Sequence, residues 1–213
     1  MAFLPKQTAN SCLRRARRFL DLADNDLPIS RAKNDLRRMA LVMAVAAIDS
    51  YMHAVVLRRI ADVRRRADLP KALARLEVSF FEIADLADAS IDAQRSHRRS
   101  RPWVQVKASL QRRLLKETFQ SYDQVATAFA IAGIDKAWTK IASELGENAP
   151  DIKAWLNDLV HRRNQIVHEG DMKRASRPRR LQFNDIDHAE VKDGIDEVDI
   201  LIDAMHKVVS NHP

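Results

Sequence analysis

The sequence predicts an all-α fold: a single-domain helical bundle with a long central helix and two basic loops. Three observations carry that prediction. Chain-breakers are scarce, with 4 glycines and 7 prolines in 213 residues, and every glycine (Gly133, Gly146, Gly170, Gly194) falls after residue 132. Tight β-turns draw on glycine or on Asn-Gly and Asp-Gly pairs, and the one Asp-Gly, Asp193-Gly194, lies inside a stretch that reads as helix. Composition agrees, since 46% hydrophobic content with only 6% aromatics suits packed helices. Apolar residues also recur at helical spacing along most of the chain. These features argue against an all-β or doubly wound sheet and against a Gly-rich phosphate loop.

The elements follow in order. Residues 7–25 place Leu13, Ala16, Leu20 and Ala23 on one stripe, and Pro28 separates this helix from the next. From Ser30 to about Arg66 runs a long segment whose middle, LVMAVAAIDSYMHAVVL, is apolar on most faces. That pattern marks a helix buried on several sides, at the centre of a bundle. Pro70 ends it or starts another, which runs to about Ala89. Residues 91–102 (IDAQRSHRRSRP) carry no stripe and four arginines, and so read as an exposed loop. Helix returns from Trp103 to Ala132, with Val106, Leu110, Leu114, Phe119, Val125 and Phe129 as core and Gly133 as the stop. A shorter helix spans Asp135 to Leu145. The next, Pro150 to Glu169, opens where a first turn accepts proline and closes at Gly170, a natural C′ residue. A second basic loop, MKRASRPRR (172–180), leads to a last helix from about Asp187 to Ser210, striped by Val191, Ile195, Val198, Ile202 and Met205. No internal repeat or long linker divides the chain, so residues 1–213 read as one domain.

Charge is uneven. The net charge is +7, yet residues 183–213 hold eight acidic side chains against two lysines, which leaves +13 on the rest. Arginine-rich basic surface suits phosphate, because the guanidinium fork grips two oxygens. A single cysteine, Cys12, excludes a disulfide framework and a cysteine-based zinc site within one chain. The histidines show no ligand spacing, so no metal and no cofactor is expected. The N-terminal MAFLPKQTAN lacks the charged and apolar regions of a signal peptide. The run Leu41–Leu57, interrupted by Asp49 and His53, reads as too short for a membrane span. The expectation is a cytoplasmic chain with no membrane partner.

The segment with chemistry in it is Asp151 to Asp171, DIKAWLNDLVHRRNQIVHEGD. Its stripe is Ile152, Trp155, Leu156, Leu159, Val160, Ile166 and Val167. At about 100° per residue the stripe should continue at 163 and 164, where Arg163 and Asn164 stand instead. Polar groups in an apolar seam need partners. Asn164 and His168 are four apart and stack on one side of the helix. A structural reading exists as well, since basic residues in a last turn complement the helix dipole.

Arg163-Asn164-Gln165-Ile166-Val167-His168 resembles the Arg-x4–6-His motif of the HEPN superfamily of helical ribonucleases. The ending Glu169-Gly170-Asp171, and the upstream Ala46-Ala47-Ile48-Asp49-Ser50-Tyr51-Met52-His53, resemble its ribonuclease-L/PSP-like branch. The resemblance implies a metal-independent endoribonuclease, a homodimer whose motif helices meet so that each chain gives an Arg and a His to a shared cleft. A seam facing a second copy would accommodate Arg163 and Asn164. Under this reading His168 is the acid/base, since imidazole titrates near neutrality. Arg163 binds the phosphate and its transition state, and Asn164 orients His168 or the phosphate. The products are a 2′,3′-cyclic phosphate and a 5′-hydroxyl, and DNA resists. The biological settings it implies are phage defence, a toxin–antitoxin pair or RNA processing.

Asp49 is a second-tier site residue, a carboxylate in the apolar central helix that pairs with Arg163 or His168, or else with His53 or a structural arginine. His161, seven residues before His168, either lines the same cleft or is a solvated histidine. Arg95, Arg98, Arg99 and Arg101, with Trp103 beside them as a stacking surface, are candidate RNA contacts, and so are Lys173, Arg174, Arg177, Arg179 and Arg180. The competing function is a non-catalytic helical dimer that binds RNA or a protein partner such as an antitoxin or another regulatory protein. A DNA-binding regulator ranks last, since no helix-turn-helix signature is visible.

Overall fold

The computed structural model describes residues 4–24, 30–63, 69–96, 102–173 and 181–212. The described residues form an all-α bundle of nine helices: α1 (Pro5–Asp24), α2 (Ser30–Asp62), α3 (Lys71–Ala74), α4 (Phe80–Arg95), α5 (Pro102–Leu114), α6 (Tyr122–Ile131), α7 (Ala137–Leu145), α8 (Ala149–Glu169) and α9 (His188–Ser210). Helix α2 is the axis, packing on α1, α5, α6, α8 and α9. Ala40, Ala44, Val45, Ala47, Ile48, Tyr51, Met52 and Val56 are fully buried along it. One continuous core draws buried residues from every helix except α4.

Helix α2 is long and apolar enough to cross a membrane by length and composition, with a mean hydropathy of 1.8 over its most apolar 18 residues. Asp49 and His53 therefore do not bring it short of a span, as the sequence reading supposed. Its apolarity has another cause: 56% of the apolar window is buried inside the bundle.

The chain breaks where local side chains cap new helices. The single helix expected from Pro70 to Ala89 is two, α3 and α4, separated by residues 75–79. Ser79 stops the run with a capping box: its hydroxyl accepts from the Glu82 N–H and its own N–H donates to Glu82 Oε2, both at 3.3 Å. Helix α4 then continues to Arg95, so the first part of the loop expected at 91–102 is helical. The missing stripe misled because Ile91 is exposed. The helix expected from Trp103 to Ala132 also divides, into α5 and α6. Ser121 and Gln124 form a second capping box, and Asp49 Oδ1 accepts the Phe119 N–H at 2.6 Å, fixing the intervening turn to α2. Helix α7 starts at Ala137, behind Lys136 in a left-handed conformation (φ 52°).

Gly194 lies in α9 with Leu159 Cδ1 and Leu41 Cδ1 each 3.6 Å from where a Cβ would stand, an ordinary packing distance. Gly194→Ala should therefore raise stability by about 0.5–1 kcal/mol, by lowering the entropy of the unfolded chain and filling the contact. Urea unfolding of the two proteins checks this. A loss of stability would mean that α8, α9 and α2 approach more closely than described.

Candidate active site

Helix α8 buries Ile152, Leu156 and Val160 against the core. In its C-terminal half Ile166 still packs against the core, while Val167 and His168 are exposed. Pro150 sits in the first turn, and Gly170 ends the helix in the left-handed region (φ 63°), where a side chain would be strained. The next residue, Asp171, is also left-handed (φ 56°), which for a non-glycine residue needs strong local compensation.

That compensation is an ion cluster. Asp171 is fully buried, at 0% exposure. Its carboxylate accepts from Arg38 Nε of α2 at 2.6 Å, from Arg162 Nη2 of α8 at 3.1 Å and from Asn184 Nδ2 at 3.0 Å. Arg162 Nη1 also donates to Asp171 Oδ1. Burial alone would push this carboxyl up; the bonds from Arg38, Arg162 and Asn184 outweigh it and hold the group below the ordinary carboxylate value. Arg38 Nη2 donates to the Asn184 carbonyl at 2.8 Å, and Arg162 Nη2 to that of Asp185 at 3.0 Å. One carboxylate thus joins the end of α8, the flank of α2 and the segment leading into α9.

The same junction closes a neck. The Asn184 N–H donates to the Asp171 carbonyl at 2.9 Å, and the Lys173 N–H to the Gln182 carbonyl at 2.7 Å. Met172 and Phe183 form an antiparallel bridge between them. The Lys173 ammonium lies 3.2 Å from Asp185 Oδ2. Residues of the second basic loop therefore leave and return side by side, just past His168.

Arg163 and Asn164 are half-buried. Arg163 Nη1 donates to Asn164 Oδ1 at 3.0 Å, while Arg163 Nε is buried with no hydrogen-bond partner. The bond that Asn164 makes within this chain is thus to Arg163 and not to His168. His161 is exposed one turn earlier on α8.

Asp49 stands elsewhere. Besides the Phe119 amide, its Oδ1 lies 3.7 Å from His53 Nε2, and His53 in turn approaches the Glu117 carbonyl at 3.1 Å and packs on the Phe119 ring. Among the described residues no hydrogen bond or ion pair joins Asp49 to Arg163 or His168, so its partners are His53 and a backbone amide. Tyr51 is buried, with its hydroxyl 3.3 Å from His206 Nδ1; burial and the nearby Asp203 raise its pKa. Trp103 is half-buried and packs against the core, and Arg95 is exposed at the end of α4. Arg98, Arg99, Arg101, Arg174, Arg177, Arg179 and Arg180 lie outside the described residues. Among those described, no group of three or more His, Cys, Asp or Glu side chains is arranged to hold a metal ion.

Sequence reasoning missed Arg38, Arg162 and Asn184 as a group. Asp171 was visible only as part of the ending Glu-Gly-Asp, and nothing in the spacing of 38, 162 and 184 announces that they meet.

An all-helical bundle built round a long apolar helix, with Arg163, Asn164 and His168 on α8, is consistent with a HEPN-type domain. The RiboL-PSP-HEPN family model matches residues 10–211, and the chain belongs to that family. No curated protein and no solved structure matches it.

Asp171→Asn leaves the buried Arg38 guanidinium and the half-buried Arg162 guanidinium facing a neutral amide. Removing one partner of a buried pair costs about 3–5 kcal/mol, which urea unfolding at neutral pH should show. The folded carboxyl titrates below its unfolded value of about 3.9, so the stability it supplies is complete above that pH. It is lost as pH falls through the lower folded value. Between those two values the wild type should lose stability more steeply than Asp171→Asn; parallel profiles would mean that Asp171 is not held ionised by its arginines.

Proposed function

We propose that the protein is an endoribonuclease that cleaves RNA by attack of a ribose 2′-hydroxyl, at a composite site made by two copies of the chain. The observation that carries the reading is the end of α8. A half-buried guanidinium, Arg163, is held by Asn164 with its Nε unsatisfied, and an exposed imidazole, His168, follows about one turn later. Buried donors without acceptors are costly, so a shift of this half-buried side chain toward an arriving phosphate oxygen would be favoured.

The chemistry needs what those residues offer. A neutral imidazole takes the 2′-hydroxyl proton as the 2′-oxygen bonds to phosphorus. An imidazolium gives a proton to the departing 5′-oxygen. The guanidinium stabilises the extra negative charge on the phosphorane oxygens. One histidine per chain supplies both roles once two chains face each other. RNA as substrate also suits a cytoplasmic location.

A second reading is kept because of α4. That helix has no buried residue, and Phe80 and Phe81 are 83% and 74% exposed. An uncovered aromatic pair favours a protein partner and hence a non-catalytic docking module.

His168→Ala and Arg163→Ala test the choice. Each should cut RNA at least about 100-fold more slowly than wild type with an unchanged unfolding midpoint. Equal cleavage by His168→Ala would remove the His168 mechanism, whereas RNA binding without cleavage, unchanged in His168→Ala, would leave the docking module.

A further inference from the structure

The neck beside His168 presents an aromatic ring that the motif does not use. We propose that Phe183 is a nucleobase-stacking platform, a subsite that holds one base of the bound RNA next to the motif end of α8. The inference rests on RNA being the ligand, but not on the protein cutting it.

The ring is backed but not covered. The Arg38 guanidinium carbon lies 5.6 Å from the Phe183 ring centroid, and Arg38 itself is 9% exposed, so it backs the ring from within. Phe183 is nevertheless 44% exposed, so much of its surface meets solvent. An aromatic face open to solvent, in a basic setting, suits a flat π-system better than an aliphatic partner.

The platform is also fixed in place. Phe183 pairs with Met172 across the neck, and backbone hydrogen bonds from Lys173 to Gln182 and from Asn184 to Asp171 hold it on both sides. Arg38 cannot drift, because its three nitrogens are engaged by Asp171 at 2.6 Å, Asp35 at 3.1 Å and the Asn184 carbonyl at 2.8 Å. A pre-ordered ring loses little freedom when a base lands on it. Met172 stands four positions beyond His168, so the neck that carries the ring follows directly on the helix that carries the motif.

The adjoining sequence favours a nucleic acid over an apolar protein segment. Lys173 adjoins the bridge, where it pairs with Asp185, and the sequence that follows it from 174 to 180 carries four arginines and no acidic residue. Backbone cations with an aromatic face are the combination that binds single strands with little sequence preference.

The test uses the full-length protein and short 2′-O-methyl oligonucleotides, which cannot be cleaved through the 2′-hydroxyl. Each carries 2-aminopurine at one position, moved stepwise along the strand. Binding is read by anisotropy and stacking by quenching of the 2-aminopurine. The proposal expects quenching at one position with wild type. It expects loss of that quenching and about 5- to 100-fold weaker binding with both Phe183→Ala and Phe183→Leu, and recovery of both with Phe183→Tyr. Leucine keeps the apolar contact with Arg38 but has no π-face, so recovery by leucine would overturn the proposal and make Phe183 a packing residue. Unchanged quenching in Phe183→Ala would overturn it too, even if the wild type cuts RNA. So would a dimer-to-monomer shift in Phe183→Ala by light scattering, which would assign the ring to a subunit contact, or no binding by wild type at low salt. If the expected pattern holds while the wild type cuts nothing, the platform stands and only the catalytic reading falls.

Discussion

The burial of Asp171 between Arg38 and Arg162 is the interaction on which the rest of the site depends. A carboxylate at 0% exposure is stable only with its lone pairs filled, and here they are filled from three directions: the central helix, the motif helix and Asn184, on the segment before α9. Those directions are the three parts of the chain whose relative placement decides where Arg163 and His168 stand. The left-handed backbone at Gly170 and Asp171 turns the chain sharply out of α8. The ion cluster and the backbone bonds of the neck together hold that turn, while Met172 and Phe183, the apolar residues beside it, are both exposed.

From this junction the rest follows by packing. Helix α2 is apolar on most of its circumference because it is covered on most of it, and Arg38 marks where that coverage gives way to a polar seam. Helix α8 lies on the core through Ile152, Leu156 and Val160. Beyond Val160 its coverage is partial, with Ile166 still against the core, which leaves Arg163 and Asn164 half in and His168 out. A guanidinium at such a boundary is partly shielded from water, which strengthens its field. Phe183 stands on the far strand of the neck that the same cluster closes.

Much of this architecture was legible in the sequence. Long-range helical periodicity located α1, α2, α8 and α9, and Gly170 marked the end of α8, because strong amphipathic stripes and a C′ glycine are local signals. The interruption of the stripe at Arg163 and Asn164 was legible for the same reason. The breaks at Ser79 and Ser121 were not, although each is a capping box written in adjacent residues; continuous apolar spacing hid them. The Arg38–Asp171–Arg162 junction could not be read at all, since it joins residues more than 130 positions apart. Asp49 shows the same limit from the other side: its burden of charge was visible, and its partner, the Phe119 amide, was not.

The central claim is that the end of α8 performs 2′-hydroxyl attack on RNA, and the termini of the products report on it most directly. A synthetic RNA incubated with the protein in excess EDTA should yield fragments ending in 2′,3′-cyclic phosphate and 5′-hydroxyl, and a single 2′-deoxy substitution at the cut nucleotide should stop the cut there. Fragments with 5′-phosphate ends, or cleavage indifferent to the 2′-deoxy substitution, would contradict it.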